Sequence, residues 1–152
     1  MDNGWLWTIP LWENIGKGYV YSSKFCTQDK AEQDFRKHLD WGGDVEHIKF
    51  KHGKRRLGWC QNVIGIGLSY GFLEPLEANG IAVICESLYA MQDLWDPTRR
   101  DHTLYRDRFN HRVNTVYEDI KDFIALHFRG RRDDTDFWKS HIHDPERIPE
   151  SL

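Results

Sequence analysis

The sequence predicts an α+β fold in which strands and β-hairpins come first and helices follow. The first half of the chain carries short runs of alternating bulky residues, whereas the second half carries apolar residues every three or four positions. Strands that precede helices, rather than alternating with them, are typical of α+β domains. The 152 residues are enough for one domain with a hydrophobic core.

A β-hairpin is predicted at the N-terminus. Residues 5–11 and 19–22 have the pattern of two strands. Asn14, Gly16 and Gly18 lie between them and predict a turn with a longer loop.

A helix and further strands are predicted in the middle of the chain. Thr27 is a typical N-cap for a helix over residues 28–39, which Gly42 and Gly43 would end. A second hairpin is predicted around His52-Gly53-Lys54 with strands at residues 48–51 and 55–59, and residues 62–66 have the pattern of a short buried strand.

Two amphipathic helices are predicted after Pro75. In each, apolar residues recur at helical spacing and share one face. The first set is Ile81, Ile84, Leu88, Met91 and Trp95. The second set is Phe109, Val113, Val116, Ile120, Phe123 and His127.

Composition excludes several classes of function. The net charge of −3 provides no broad basic field, so we expect no nucleic-acid partner. No apolar run is long enough to span a membrane. Cys26, Cys60 and Cys85 are odd in number and widely spaced, which favours a reduced, cytoplasmic protein. His141 and His143 lack a third ligand at suitable spacing, so we expect no metal site.

The chain is rich in tryptophan, with seven among 152 residues. Each ring either fills an ordinary core or forms a rigid wall of a pocket for a flat aromatic ligand. The pattern alone leaves both interpretations open.

The segment of residues 65–81 is the best candidate for a ligand site. Its glycines allow a backbone to approach a ligand closely, and the helix that follows offers free N–H groups to an anion. Asn79 and Gly80 could form a small cradle of backbone donors, and Glu77 just before them could act as a base or stabilise positive charge. The alternative is an ordinary helix start.

Four segments of the chain resemble those of the flavin-dependent tryptophan halogenases. Residues 5–10 match the WxWxIP motif of that family, and residues 71–81 are similar to its GFLEPLE segment, which links the flavin and substrate pockets. Residues 18–23 resemble the strand that follows WxWxIP, and residues 133–138 look like the DDTPFW stretch. The four matches occur in the family's order and cover nearly the whole chain.

The resemblance implies that residues 1–152 are the C-terminal portion of an α/β, FAD-binding fold of the flavin monooxygenase type. In such enzymes reduced FAD, molecular oxygen and chloride or bromide yield hypohalous acid. An essential lysine then directs the halogen onto tryptophan, another indole or a phenol, typically in antibiotic biosynthesis. A separate flavin reductase supplies the reduced FAD. The oligomeric state is not specified, and a homodimer is one possibility.

The resemblance also assigns site residues. Glu77 matches the catalytic glutamate, and the backbone N–H groups of Asn79 and Gly80 match the halide site. The positions that contact the flavin match Leu68, Gly71 and Ile81. The positions around the aromatic substrate match Trp5, Trp7, Phe137 and Trp138.

The chain departs from the family in three respects. Ala78 and Asn79 replace hydroxyl residues after the glutamate, and Asp136 stands where proline is common. The GxGxxG motif and the essential lysine belong to the family's N-terminal half, which has no match here. We therefore expect the chain to need that missing half, and to be inactive alone.

Two other functions remain open at this point. A flavin-dependent aromatic hydroxylase has the same fold and cofactor but would act without halide. The other is a catalytically incompetent, truncated chain that folds only partly or pairs with a separate N-terminal piece, with weak or absent FAD binding.

Overall fold

In a computed structural model, the described residues are 1–40, 42–98, 102–130 and 132–142. The chain divides into two compact units, Met1–Ile48 with His127–Leu152, and Lys49–Leu126. All strands precede the two long helices, and a shorter helix follows the first two strands, which confirms the α+β class of the chain. The elements are β1 Gly4–Pro10, β2 Ile15–Tyr21, α1 Gln28–Leu39, β3 Gly53–Lys54, β4 Trp59–Cys60, β5 Val63–Ile64, β6 Gly71–Phe72, α2 Asn79–Leu94, α3 Thr103–Phe128 and α4 Asp136–Ile142.

The N-terminal hairpin forms as predicted, but its turn lies earlier than expected. The β1 and β2 strands pair antiparallel from Gly4 opposite Tyr21 to Pro10 opposite Ile15, and the Leu11 N–H donates to the Asn14 carbonyl at 2.7 Å. The prediction that the two following glycines form the turn was wrong.

Gly16 and Gly18 lie inside β2, opposite the indole of Trp7. A Cβ at Gly18 would stand 2.3 Å from that ring, and one at Gly16 would stand 3.2 Å from it. Glycine is therefore needed at both positions because the Trp7 ring occupies the space that a side chain would take.

The α1 helix covers the predicted residues. The Thr27 hydroxyl accepts a hydrogen bond from the Lys30 N–H at 3.3 Å, as expected for an N-cap. The prediction that Gly42 and Gly43 end the helix was wrong. Asp40 ends it in the left-handed region (φ 48°), and its N–H donates to the Arg36 carbonyl, because aspartate tolerates that conformation better than most residues.

The second unit contains short strand pairs between distant segments. The β3 strand pairs with β6, and β4 pairs with β5, both antiparallel. The prediction of a hairpin around residues 52–54 was therefore wrong: residues 48–51 form no strand, and the partner of β3 comes from 17 positions later, Lys54 lying opposite Gly71. The core consists of Trp59, Tyr70, Ala90, Phe109, Val113 and Tyr117.

Both long helices form, but α3 buries only Phe109 and Val113 of its predicted face, while Phe123 and His127 of that face are exposed. Its buried residues are Phe109, Val113, Tyr117 and Ile124. In α2 the buried residues are instead Val83, Ser87 and Ala90, whereas the predicted apolar face of Ile81, Ile84, Leu88 and Trp95 is exposed. Within the described residues, no helix is both long and apolar enough to cross a membrane.

Candidate functional site

A cleft of the second unit lies around the start of α2. It has a volume of about 240 Å³ and a predominantly apolar lining. The lining comes from the glycine-containing segment, the first turns of α2, and one face of α3. It consists of Gly67, Leu68, Gly71, Phe72, Leu73, Glu74, Pro75, Ala78, Asn79, Gly80, Ile81, Val83, Ile84, Tyr117 and Ile120.

The backbone that enters α2 is strained. Glu77 (φ 59°, ψ 15°) and Ala78 (φ 52°, ψ 29°) both adopt the left-handed region. That region costs an L-residue other than glycine about 1–2 kcal/mol. Hydrogen bonds hold the turn, since the Ala78 N–H donates to the Pro75 carbonyl at 3.1 Å and the Asn79 side-chain amide donates to the Leu76 carbonyl at 2.8 Å.

The turn leaves the start of α2 open to a ligand. Asn79 and Gly80 are its first residues, so their N–H groups have no acceptor within the helix. Ala78 precedes them and provides no side-chain cap, and no acidic residue lies in the first turn. A Cβ at Gly80 would meet open space. These two N–H groups, called here the Asn79–Gly80 cradle, lie at the cleft and suit a small anion.

Glu77 is exposed and is not among the residues that line the cleft. The cradle and the carboxylate are thus adjacent in the chain but face different surroundings. This arrangement avoids placing a carboxylate and a bound anion in the same apolar space.

The three residues that match flavin-contacting positions all line the cleft. Leu68 is 81% exposed and Ile81 is 66% exposed, so both present apolar surface. Gly71 also has a structural reason to be glycine, because a Cβ there would stand 2.7 Å from the Lys54 side chain across the strand pair.

Tyr117 and Ile120 of α3 also line the cleft, and sequence reasoning gave Tyr117 no role. The Tyr117 hydroxyl lies 2.8 Å from the Gly53 carbonyl oxygen and 3.0 Å from that of Phe72. Burial raises the pKa of Tyr117 to about 12. A signal existed, since Phe109, Val113 and Tyr117 recur at four-residue intervals on one helical face.

The aromatic residues predicted to contact substrate lie in the first unit. Trp5 and Trp7 are two residues apart on β1, which places them on one face of the hairpin, and both are partly buried. Phe137 is buried, and its ring packs edge-on against Trp138 with centroids 4.9 Å apart. The Trp138 indole N–H donates to the Met1 carbonyl at 3.0 Å.

Arg132 orders the segment before these last two aromatic residues. Its guanidinium forms two hydrogen bonds of 2.9 Å with the Asp134 carboxylate and lies 5.1 Å from the centroid of the Trp138 ring. The guanidinium lowers the pKa of Asp134. Packing within this unit accounts for these contacts without a ligand.

Among the residues that the structure describes, no three His, Cys, Asp or Glu side chains form a group that could hold a metal ion. His143, the second member of the His141–His143 pair, lies outside the described residues.

Comparisons with known proteins agree with the motifs. The family model for tryptophan halogenase matches residues 1–152. Tryptophan 7-halogenase KtzQ of Kutzneria sp. (strain 744) is 38% identical over 144 residues, which cover 92% of this chain and 27% of that relative.

Two solved structures have the same fold over nearly the whole chain. The tryptophan 6-halogenase SttH from Streptomyces toxytricini matches with a TM-score of 0.88 and 35% identity, over 99% of this chain and 31% of its own. BrvH, a flavin-dependent halogenase from Brevundimonas sp. BAL3, matches with a TM-score of 0.88 and 37% identity, over 100% of this chain and 31% of its own.

The chain thus spans less than a third of the length of the relatives that it matches. Over that span, the family model, the sequence relatives and the solved structures agree with the motifs at both ends of the chain. The chain belongs to the tryptophan halogenase family.

Proposed function

We propose that the whole protein carrying this chain is a flavin-dependent halogenase of electron-rich aromatic substrates. The observation that supports this most strongly is the start of α2, where the Asn79–Gly80 cradle opens at an apolar cleft. Backbone N–H groups suit a halide because they supply directed positive charge without a competing counter-ion. Family membership supplies the reaction class.

We propose that the cleft, with a volume of about 240 Å³, takes one face of a flavin ring rather than a whole FAD molecule. Its apolar lining includes exposed Leu68 and Ile81, with glycines that let the backbone approach closely. We propose that these residues contact the ring of FAD, and that the remainder of FAD is held by the N-terminal half found in the family. When bound and reduced, FAD with molecular oxygen supplies the oxidation of halide to hypohalous acid.

We propose that the Asn79–Gly80 cradle holds chloride or bromide next to the ring. The first-turn N–H groups and the positive end of the α2 dipole lower the energy of the bound anion. The lining of the cleft is mainly apolar, so few protein groups would compete with these N–H donors for the anion.

We propose that Glu77 is the catalytic carboxylate of the whole protein. Its carboxylate would polarise the halogenating species or accept the proton lost from the aromatic ring. The left-handed backbone at Glu77 supports this role, because strain at a residue other than glycine persists where the surrounding structure imposes it, often at a functional site.

The aromatic substrate is proposed to contact the rings of Trp5, Trp7, Phe137 and Trp138. Indoles and phenols suit such rings, since both are flat and rich in π electrons. We also propose a separate flavin reductase as partner and a reducing, cytoplasmic location, since the three cysteines are free. A homodimer is compatible with this proposal.

The test is an assay of the intact protein with FAD, a flavin reductase, oxygen, and bromide or chloride, against a panel of indoles and phenols. The proposal predicts a halogenated product that requires halide. Hydroxylated product formed at the same rate with and without halide would identify a flavin hydroxylase instead. A protein that binds FAD but forms neither product would contradict both assignments.

A further inference from the structure

We propose that Tyr117 is a positioning residue for the Asn79–Gly80 cradle. An effect of Tyr117 on halide binding rests on the proposed function, whereas the contacts of its hydroxyl are features of this chain alone. A single hydroxyl on α3 contacts two carbonyl oxygens, those of Gly53 on β3 and Phe72 on β6, at 2.8 and 3.0 Å. Tyr117 therefore fixes both strands of the pair that leads into the cradle.

The strand pair needs such support because it is very short. The β3–β6 ladder comprises only two residue pairs, Gly53 with Phe72 and Lys54 with Gly71. A two-stranded ribbon of this length is not stable alone in water. One further backbone bond, from the Arg55 N–H to the Tyr70 carbonyl at 2.8 Å, extends it.

Tyr117 itself is held firmly. It is 3% exposed, and its ring packs edge-on against Tyr70 with centroids 5.8 Å apart. The ammonium of Lys54 lies 5.5 Å from the centroid of the Tyr117 ring, and 3.1 Å from the carboxylate of Glu118 on the same helix. These contacts hold the Tyr117 side chain, and with it the hydroxyl, in one position on α3.

Few residues separate the Phe72 carbonyl, which contacts this hydroxyl, from the cradle, and their backbone is conformationally restricted. Phe72 is followed by two residues and then by Pro75, whose ring restricts φ (−66°). The Pro75 carbonyl accepts the Ala78 N–H at 3.1 Å, and Asn79 follows directly. A shift of the Phe72 carbonyl would therefore move the two donor N–H groups of the cradle.

The Tyr117 ring also lines the cleft, so the hydroxyl and the ring have separable roles. Tyr117→Phe keeps the ring and removes only the donor. Tyr70→Phe is the matched control, since it removes a hydroxyl from the neighbouring buried ring and leaves the two carbonyls with their donor.

The experiment compares amide NMR spectra of the full ¹⁵N-labelled chain and its variants. Tyr117→Phe should displace the amide signals of Asn79 and Gly80 and speed their hydrogen exchange, whereas Tyr70→Phe should leave both near wild type. Replacement of Tyr117 by 4-aminophenylalanine restores a donor at the same ring position and should return the signals toward wild type. A folded Tyr117→Phe chain with unchanged Asn79 and Gly80 signals would overturn the proposal.

Should Tyr117→Phe fail to fold, the 4-aminophenylalanine chain decides the matter. If that chain folds and its Asn79 and Gly80 signals match those of wild type, the positioning role of Tyr117 is supported. If it folds with displaced signals, or does not fold, the proposal is overturned. A bromide titration of the intact protein with FAD, and of its Tyr117→Phe variant, separates the two proposals. Wild-type Asn79 and Gly80 signals that do not respond to bromide count against the halide site, whereas bromide binding weakened roughly fivefold by Tyr117→Phe supports both.

Discussion

The indole of Trp7 lies across Gly18 on the neighbouring strand, so that a Cβ at Gly18 would stand only 2.3–2.4 Å from three atoms of the ring. The two residues face each other in the β1–β2 register. Cross-strand packing of an aromatic ring on a glycine thus sets the orientation of Trp7, a residue that we propose contacts the substrate.

Gly18→Ala should destabilise the chain by about 1–3 kcal/mol, because the added methyl group must displace the Trp7 ring or the strand. Urea unfolding followed by circular dichroism measures the change. Gly42→Ala is the control, since a Cβ there meets nothing within 4 Å. Equal stability of Gly18→Ala and wild type would show that Trp7 has another position in solution.

Asn110→Ala should destabilise the second unit by about 2–3 kcal/mol, because both backbone polar groups of buried Trp59 lose a partner. The Asn110 amide accepts from the Trp59 N–H at 2.7 Å and donates to its carbonyl at 2.9 Å. Asn114→Ala, one helical turn later, is the control. The Asn114 side chain accepts a hydrogen bond from the Lys54 ammonium. Its loss should destabilise the chain less, because Lys54 keeps its ion pair with Glu118. A reversed order of the two variants in chemical unfolding would contradict the account.

The local elements were predictable from sequence, and the pairing between distant segments was not. Thr27 and the α1 range follow from capping preference and spacing, which act within a few residues. The partner of β3 is β6, and no local signal encodes that choice. A hairpin around residues 52–54 was the local alternative, but the Tyr117 hydroxyl on α3 favours the distant pairing.

The candidate site was predictable only in part. The glycine segment and helix start led to Asn79 and Gly80, and both line the cleft. The left-handed backbone at Ala78 was not predictable, since alanine ordinarily favours a helix interior. The exposed face of α2 was also missed, because periodicity identifies an apolar face but not its neighbour.

Ala78→Gly should stabilise the chain by about 0.5–1 kcal/mol, because glycine adopts the left-handed region without strain. Ala82→Gly, in the exposed interior of α2, should instead destabilise by about 1 kcal/mol. Thermal and urea unfolding of both variants provide the comparison. Destabilisation by Ala78→Gly would show that the left-handed turn is not the conformation of the free chain.

Stability should fall as the pH rises from about 10 to about 12. Burial raises the pKa of both Tyr19 and Tyr117 to about 12, above the value of about 10 in an unfolded chain. The folded state then binds more protons than the unfolded state, so the contribution is complete below pH 10 and is lost through pH 12.

Urea unfolding across this pH range tests the effect. The Tyr19→Phe, Tyr117→Phe double variant should show a shallower fall in unfolding free energy than wild type. If the unfolding free energy of the variant and of wild type fell equally with pH, groups other than Tyr19 and Tyr117 would cause the loss of stability.

Glu77→Gln should lower halogenation by the intact protein about 10²–10⁴-fold, because the amide keeps the shape of the side chain but cannot accept a proton. Binding of FAD, followed by flavin fluorescence, should be unchanged, since Glu77 lies outside the cleft lining. Glu13→Gln removes another exposed carboxylate and is expected to leave activity intact. Wild-type turnover by Glu77→Gln would remove Glu77 from the mechanism.

The most direct measurement is anomalous diffraction at the bromine edge from crystals of the intact protein soaked in bromide. We expect a bromide peak within hydrogen-bonding distance of the backbone nitrogens of Asn79 and Gly80. Bromide bound elsewhere, with no density at the start of α2, would contradict this expectation.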